Sequence, residues 1–63
     1  MTTIIIRLHE VKKQTGLSRS TIYDFIAKGK FPRQVELGEK AVGWIEADVQ
    51  SWIASRINRS RAA

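Results

Sequence analysis

Apolar and polar positions follow three rhythms along this 63-residue chain. Residues 2–6 read Thr-Thr-Ile-Ile-Ile, β-branched without a break, which favours extended backbone over helix. This stretch is expected to be an edge strand or an ordered arm. Leu8 and Val11 then stand three apart among charged residues, the spacing of a short amphipathic helix over residues 8–15. Gly16 supplies the left-handed position that ends a helix at little cost. Ser18 is a good N-cap for a second helix, residues 19–28. Within it Ile22, Phe25, Ile26 and Gly29 fall at i, i+3, i+4 and i+7 and share one face. Ser20, Asp24 and Ala27 lie opposite, flanked by Arg19 and Tyr23 on one side and Thr21 and Lys28 on the other. Gly29 reads as a stop, and Phe31-Pro32 excludes further helix.

The rhythm then shortens. Val35-Glu36-Leu37 and Val42-Gly43-Trp44-Ile45 are strand-like runs joined by a turn at residues 38–41. Glu36 and Gly43 interrupt them as a half-exposed ribbon requires. A last helix is expected over residues 46–57, with Val49, Trp52, Ile53 and Ile57 as its buried stripe. Glu46 and Asp48 near its start and Arg56 near its end suit the helix dipole. Both tryptophans sit in apolar patterns and are assigned to the core.

The order is helix, tight turn, helix, hairpin, helix. A connection of only Gly16, Leu17 and Ser18 makes the first two helices cross steeply, as in a helix-turn-helix. The expected fold is a mainly α winged helix-turn-helix with a small β-hairpin wing, and with the N-terminal run as an added strand or arm. It divides into an arm (1–6), the domain (7–57) and a basic, frayed, flexible tail (58–63).

Composition narrows the chemistry. A chain this short makes one domain with a small core. It has no cysteine, which fits a reducing cytoplasm. Its longest apolar run, Ile4-Ile5-Ile6, is far too short to span a bilayer or form a signal-peptide core. A soluble, cytoplasmic, nucleoid-associated protein is expected. Net charge is +5, and its distribution matters more than its size. Residues 7–33 carry seven basic and two acidic side chains, residues 34–55 one and four, and three arginines follow. A basic half and an acidic half point to an oriented polyanionic partner; the bland alternative is a charged face that only keeps the chain soluble. Nucleic acid leads over a membrane surface, because the basic residues do not lie opposite a large exposed apolar face. The chain offers no histidine–cysteine cluster for a metal, no Gly-rich phosphate loop and no nucleophile with a histidine base. Neither an enzyme nor a cofactor is expected.

The second helix is the element suited to DNA. Its N-terminus offers unpaired N–H groups to phosphate. Ser20 and Thr21 are small enough to let its backbone approach the floor of a major groove. Arg19 can donate a fork of hydrogen bonds to guanine, against the alternative of a solvated charge at a helix start. Tyr23 can reach a phosphate or a thymine methyl, against the alternative of packing along the core edge. The candidate DNA-binding residues are Ser18, Arg19, Ser20, Thr21 and Tyr23 on this helix. Lys28, Lys30, Arg33 and the wing-tip Lys40 are assigned to backbone contacts that position without specifying sequence. Lys12 and Lys13 are candidates for the same work. Asp24 would repel phosphate, so it is expected to pair with Lys28 at i+4 or to accept from a cytosine amino group. The rival of another class is a protein-binding module for an acidic partner or an integrase.

Taken together, Arg-Leu-His-Glu-Val, Thr15-Gly16-Leu17-Ser18, Ser20-Thr21-Ile22-Tyr23, Phe31-Pro32 and Val42-Gly43-Trp44 followed by Trp52 resemble the AlpA family of prophage-encoded regulators. The resemblance covers residues 7–57. It implies a fold similar to MerR-type winged helices and phage excisionases, a recognition helix at residues 18–29 and a wing at residues 35–45. It implies a double-stranded DNA partner and regulation of prophage genes. Its alternative is an excisionase that bends attachment-site DNA. The small size of the module and the lack of a coiled-coil segment for a fixed dimer point to further copies on adjacent sites. One position departs from the pattern: Asp24 stands where relatives often carry arginine or lysine.

Overall fold

In the computed structural model, which describes residues 3–62, each expected element has a counterpart. The order is β1 (Ile5–Ile6), α1 (Leu8–Thr15), α2 (Arg19–Ala27), β2 (Val35–Glu36), β3 (Val42–Ile45) and α3 (Glu46–Ala62). Met1 and Thr2 of the expected arm and Ala63 of the expected tail lie outside the described residues.

The helix ends follow local chemistry. Gly16 takes φ 73° and its N–H donates to Lys12 O at 2.8 Å, closing α1. Ser18 is extended, and its Oγ accepts from Thr21 N at 3.3 Å at the start of α2. At the far end, Gly29 N donates to Ile26 O (3.1 Å) and Lys30 N to Phe25 O (2.8 Å). With Gly29 at φ 70° this is a Schellman closure, which satisfies two carbonyls that the helix leaves free.

The three strands form one antiparallel sheet in the order β1-β3-β2. Ile5 pairs with Ile45 and Ile6 with Trp44 on one side of β3; Val35 pairs with Gly43 and Glu36 with Val42 on the other. Ile5 and Ile6 of the N-terminal run therefore form a strand of the wing sheet. Ile4 O accepts from Glu46 N at 2.8 Å, which ties β1 to the first turn of α3.

Ile6, Val11, Ile22, Phe31, Trp44 and Val49 form the core, drawn from β1, α1, α2, the loop after α2, β3 and α3. Leu8, Leu17, Tyr23, Phe25, Ile26, Val42, Trp52 and Ile53 pack around it. Trp44 is fully buried, and its Nε1 has no hydrogen-bond acceptor among the described residues, a cost of ~1–3 kcal/mol. On the side of α1 facing α3, Gln14 Nε2 donates to Glu10 (3.2 Å) and Glu46 (3.4 Å), and Gln50 Nε2 donates to Gln14 Oε1 (2.7 Å).

Three expectations need correction. The last helix does not stop at Ile57 before a frayed tail; it runs to Ala62. Residues 58–62 contain neither glycine nor proline, and Arg59 and Arg61 in the final turn suit the dipole. Ile57 leaves the expected buried stripe and is 46% exposed, because the stripe meets no further partner beyond Ile53. Gly43 does not merely interrupt a half-exposed ribbon. It is buried on the central strand, where a Cβ would sit 2.5 Å from Ile5 Cγ2, 3.0 Å from Ile6 O and 3.1 Å from Leu37 Cδ1.

Candidate nucleic-acid interface

Three side chains of α2 anchor it. Ile22 is fully buried at its inner face. Tyr23 leans against Trp44 of β3, edge to face with centroids 6.4 Å apart. Phe25 leans the other way, toward Trp52 of α3 at 6.3 Å. The helix is thus clasped between the wing sheet on one flank and α3 on the other. Arg19, Ser20, Asp24, Ala27 and Lys28 face solvent.

The candidate residues divide by what they already touch. Ser18 is committed to its cap, and its Oγ also lies 2.9 Å from Thr21 Oγ1, so these two hydroxyls satisfy each other. Ser20 is exposed at 3.5 Å from Ser18. Tyr23 is half-buried against Trp44, and its ring carries the Arg19 guanidinium at 5.5 Å from the centroid. That contact is between cation and ring and takes up none of the guanidinium's N–H donors in a hydrogen bond. Asp24 pairs with Lys28 at 2.9 Å, the single ion pair among the described residues. Both side chains are more than half exposed, so the pair adds at most about 1 kcal/mol of stability.

Lys30, Arg33 and Lys40 are exposed and lie away from α2's outer face. Arg33 lines a hollow between α2 and the sheet with Ile26 and Val42. Lys40 sits on the wing turn, which is closed by Leu37 N donating to Ala41 O at 2.7 Å. The backbone carbonyl of Lys30 accepts from Trp52 Nε1 at 2.7 Å, which moors the end of α2 to α3. On the opposite approach, His9, Lys12, Lys13, Leu17 and Ser18 surround a shallow hollow of about 470 Å³ beside the turn.

Two further basic residues join the surface that the sequence pattern does not assign to it. Arg56 and Arg59 line a hollow of about 300 Å³ together with Lys30, Trp52 and Ser55. Arg56 follows Trp52 by one helical turn, a spacing that allows cation–aromatic stacking; with α3 running to Ala62 it lies before the final turn, and the dipole contact expected of it falls to Arg59 and Arg61.

A three-helix core, a helix pair joined by three residues, and an antiparallel wing with a basic surface around α2 define a winged helix-turn-helix protein. The chain belongs to the prophage CP4-57 regulatory protein (AlpA) family, whose sequence profile matches residues 4–57. Over 52 residues it is 54% identical to uncharacterized protein ORF88 of Enterobacteria phage P4, covering 82% of this chain and 59% of that protein. Over 58 residues it is 41% identical to the DNA-binding transcriptional activator AlpA of Escherichia coli (strain K12), covering 82% of this chain and 83% of that relative. No helix among the described residues is long and apolar enough to cross a membrane.

Proposed function

We propose that this chain binds double-stranded DNA and regulates transcription of prophage genes, with α2 in the major groove and the wing on flanking backbone. The observation that carries this reading is the exposed N-terminal half of α2, where Arg19 is stacked on Tyr23 beside small side chains. A guanidinium braced against a ring offers a planar fork of donors that matches guanine O6 and N7. The helix N-terminus adds N–H groups and partial positive charge for an adjacent phosphate. Lys12 and Lys13 on one approach, and Arg33 and Lys40 on the wing side, supply backbone contacts that set register. Family membership supports the same reading, since a relative carries the name of a DNA-binding transcriptional activator.

One module of this kind covers on the order of 600–1,000 Å² of protein surface, too little for high specificity alone. Copies on adjacent sites supply the rest. Selection from a randomised duplex pool, followed by titration of the selected and a scrambled site, tests the assignment. Arg19→Ala flattens the preference between the two sites. Lys40→Ala weakens both equally and lowers the salt slope by about one. The reverse pattern contradicts base reading by Arg19 and backbone contact by Lys40.

A further inference from the structure

α2 has two flanks, and the wing covers only one of them. It lies on the Tyr23 side, reached through Trp44. On the Phe25 side lies the second half of α3, reached through Trp52. There the Arg56 guanidinium stands 4.9 Å from the Trp52 ring centroid and 5.4 Å from that of Phe25. It has no carboxylate partner among the described residues. Two aromatic contacts restrain the guanidinium. Arg59, close to one turn further along α3, and Lys30, from the end of α2, border the same hollow of about 300 Å³, floored by Trp52 and Ser55. Three cations thus converge on a hollow that no carboxylate lines, one of them against two aromatic rings. Trp52 Nε1 donating to Lys30 O at 2.7 Å fixes the main chain on one side of the hollow to the helix on the other.

We propose that Lys30, Arg56 and Arg59 form a second phosphate-binding site that grips the DNA strand bordering α2 on the side away from the wing. The site rests on the reading that the partner is duplex DNA, and it extends that reading from one wall of the groove to both. It explains why α3 runs past the last apolar position of its stripe: the added turns carry Arg59 beyond the core. Contacts of this kind hold the backbone and carry no sequence information.

The test uses the full chain and a fluorescent mixed-sequence duplex of about 20 base pairs, two helical turns. Affinity is measured for wild type, Arg59→Gln, Arg56→Gln and Arg56→Lys across salt. Each lost phosphate contact reduces the salt slope by about 0.9, so the loss of affinity between about 50 and 200 mM salt shrinks by about 3.5-fold per contact. The double variant Arg56→Gln/Arg59→Gln shrinks it by about 12-fold on the same basis. Arg56→Lys keeps the slope of wild type but loses the stacking. Arg59 is exposed, so Arg59→Gln reports on binding even where Arg56→Gln lowers the melting temperature. If wild type binds the duplex and Arg59→Gln and Arg56→Gln keep its slope, the second site is wrong while the α2 reading stands. If wild type shifts no duplex even at low salt, the DNA reading itself fails and takes this site with it.

Discussion

Alanine at Gly43 tests how the wing is held to the domain. A Cβ built there meets three atoms from two neighbouring segments. Leu37 Cδ1 at 3.1 Å is the far end of a side chain 47% exposed, which has room to turn away. Ile5 Cγ2 at 2.5 Å, a branch carried directly on Cβ, and Ile6 O at 3.0 Å do not, because both residues are paired with β3 in the ladder. The methyl therefore pushes β1 away from β3 and strains the contact of buried Ile6 with the core. Overpacking of this kind costs ~1–3 kcal/mol. The smaller entropy of the unfolded chain returns ~0.4–1 kcal/mol. The net loss is roughly 1–2 kcal/mol, or a melting temperature lower by roughly 5–15 °C for a domain of this size. Thermal unfolding followed by circular dichroism on wild type, Gly43→Ala, Ile5→Ala and the double variant measures it. Ile5→Ala removes the shortest contact, so the double variant is less destabilised than the sum of the singles by at least about 0.5 kcal/mol. An unchanged or raised melting temperature for Gly43→Ala, or strict additivity, refutes the close approach as the reason for glycine.

Ser18→Ala removes the α2 cap and lowers stability by about 1 kcal/mol, while Ser18→Gly lowers it by only a few tenths; equal losses in denaturant titration would show that the cap is not the cause. Asp24→Asn changes stability by less than about 1 kcal/mol, because the pair with Lys28 is exposed. The same substitution removes a carboxylate from the face proposed to meet DNA and frees Lys28, so affinity for mixed-sequence duplex is expected to rise. A selective loss at the selected site alone would instead make Asp24 a base acceptor.

Much of this architecture is legible from local chemistry. Glycines at the two helix ends, the Ser18 cap and the i, i+3, i+4 spacing of Ile22, Phe25 and Ile26 determine α1, the turn and α2 within a residue. These signals act over one or two turns, so the sequence carries them intact. What depends on distant partners is not so readable. The β-branched run at residues 2–6 announces a strand but not its place beside β3. Gly43 looks like a polar-face interruption until Ile5 is known to lie over it. Asn58 to Ala62 lacks an apolar stripe and reads as a tail, although nothing in it breaks a helix. The candidate interface divides in the same way. Arg19 and Ser20 follow from the helical period alone. The Arg19–Tyr23 stack is one turn apart on α2, yet Tyr23 is fixed by Trp44, from another element. Lys30, Arg56 and Arg59 meet only because α3 crosses the end of α2, which a one-dimensional pattern does not encode.

Amide chemical-shift mapping of the ¹⁵N-labelled chain, titrated with duplex DNA, addresses the claim that α2 is the DNA-facing element. The largest changes are expected at Arg19, Ser20 and their neighbours on α2, with smaller ones at Lys40 on the wing turn. Changes confined to Glu10, Gln14, Glu46 and Gln50, on the side where α1 meets α3, would contradict it.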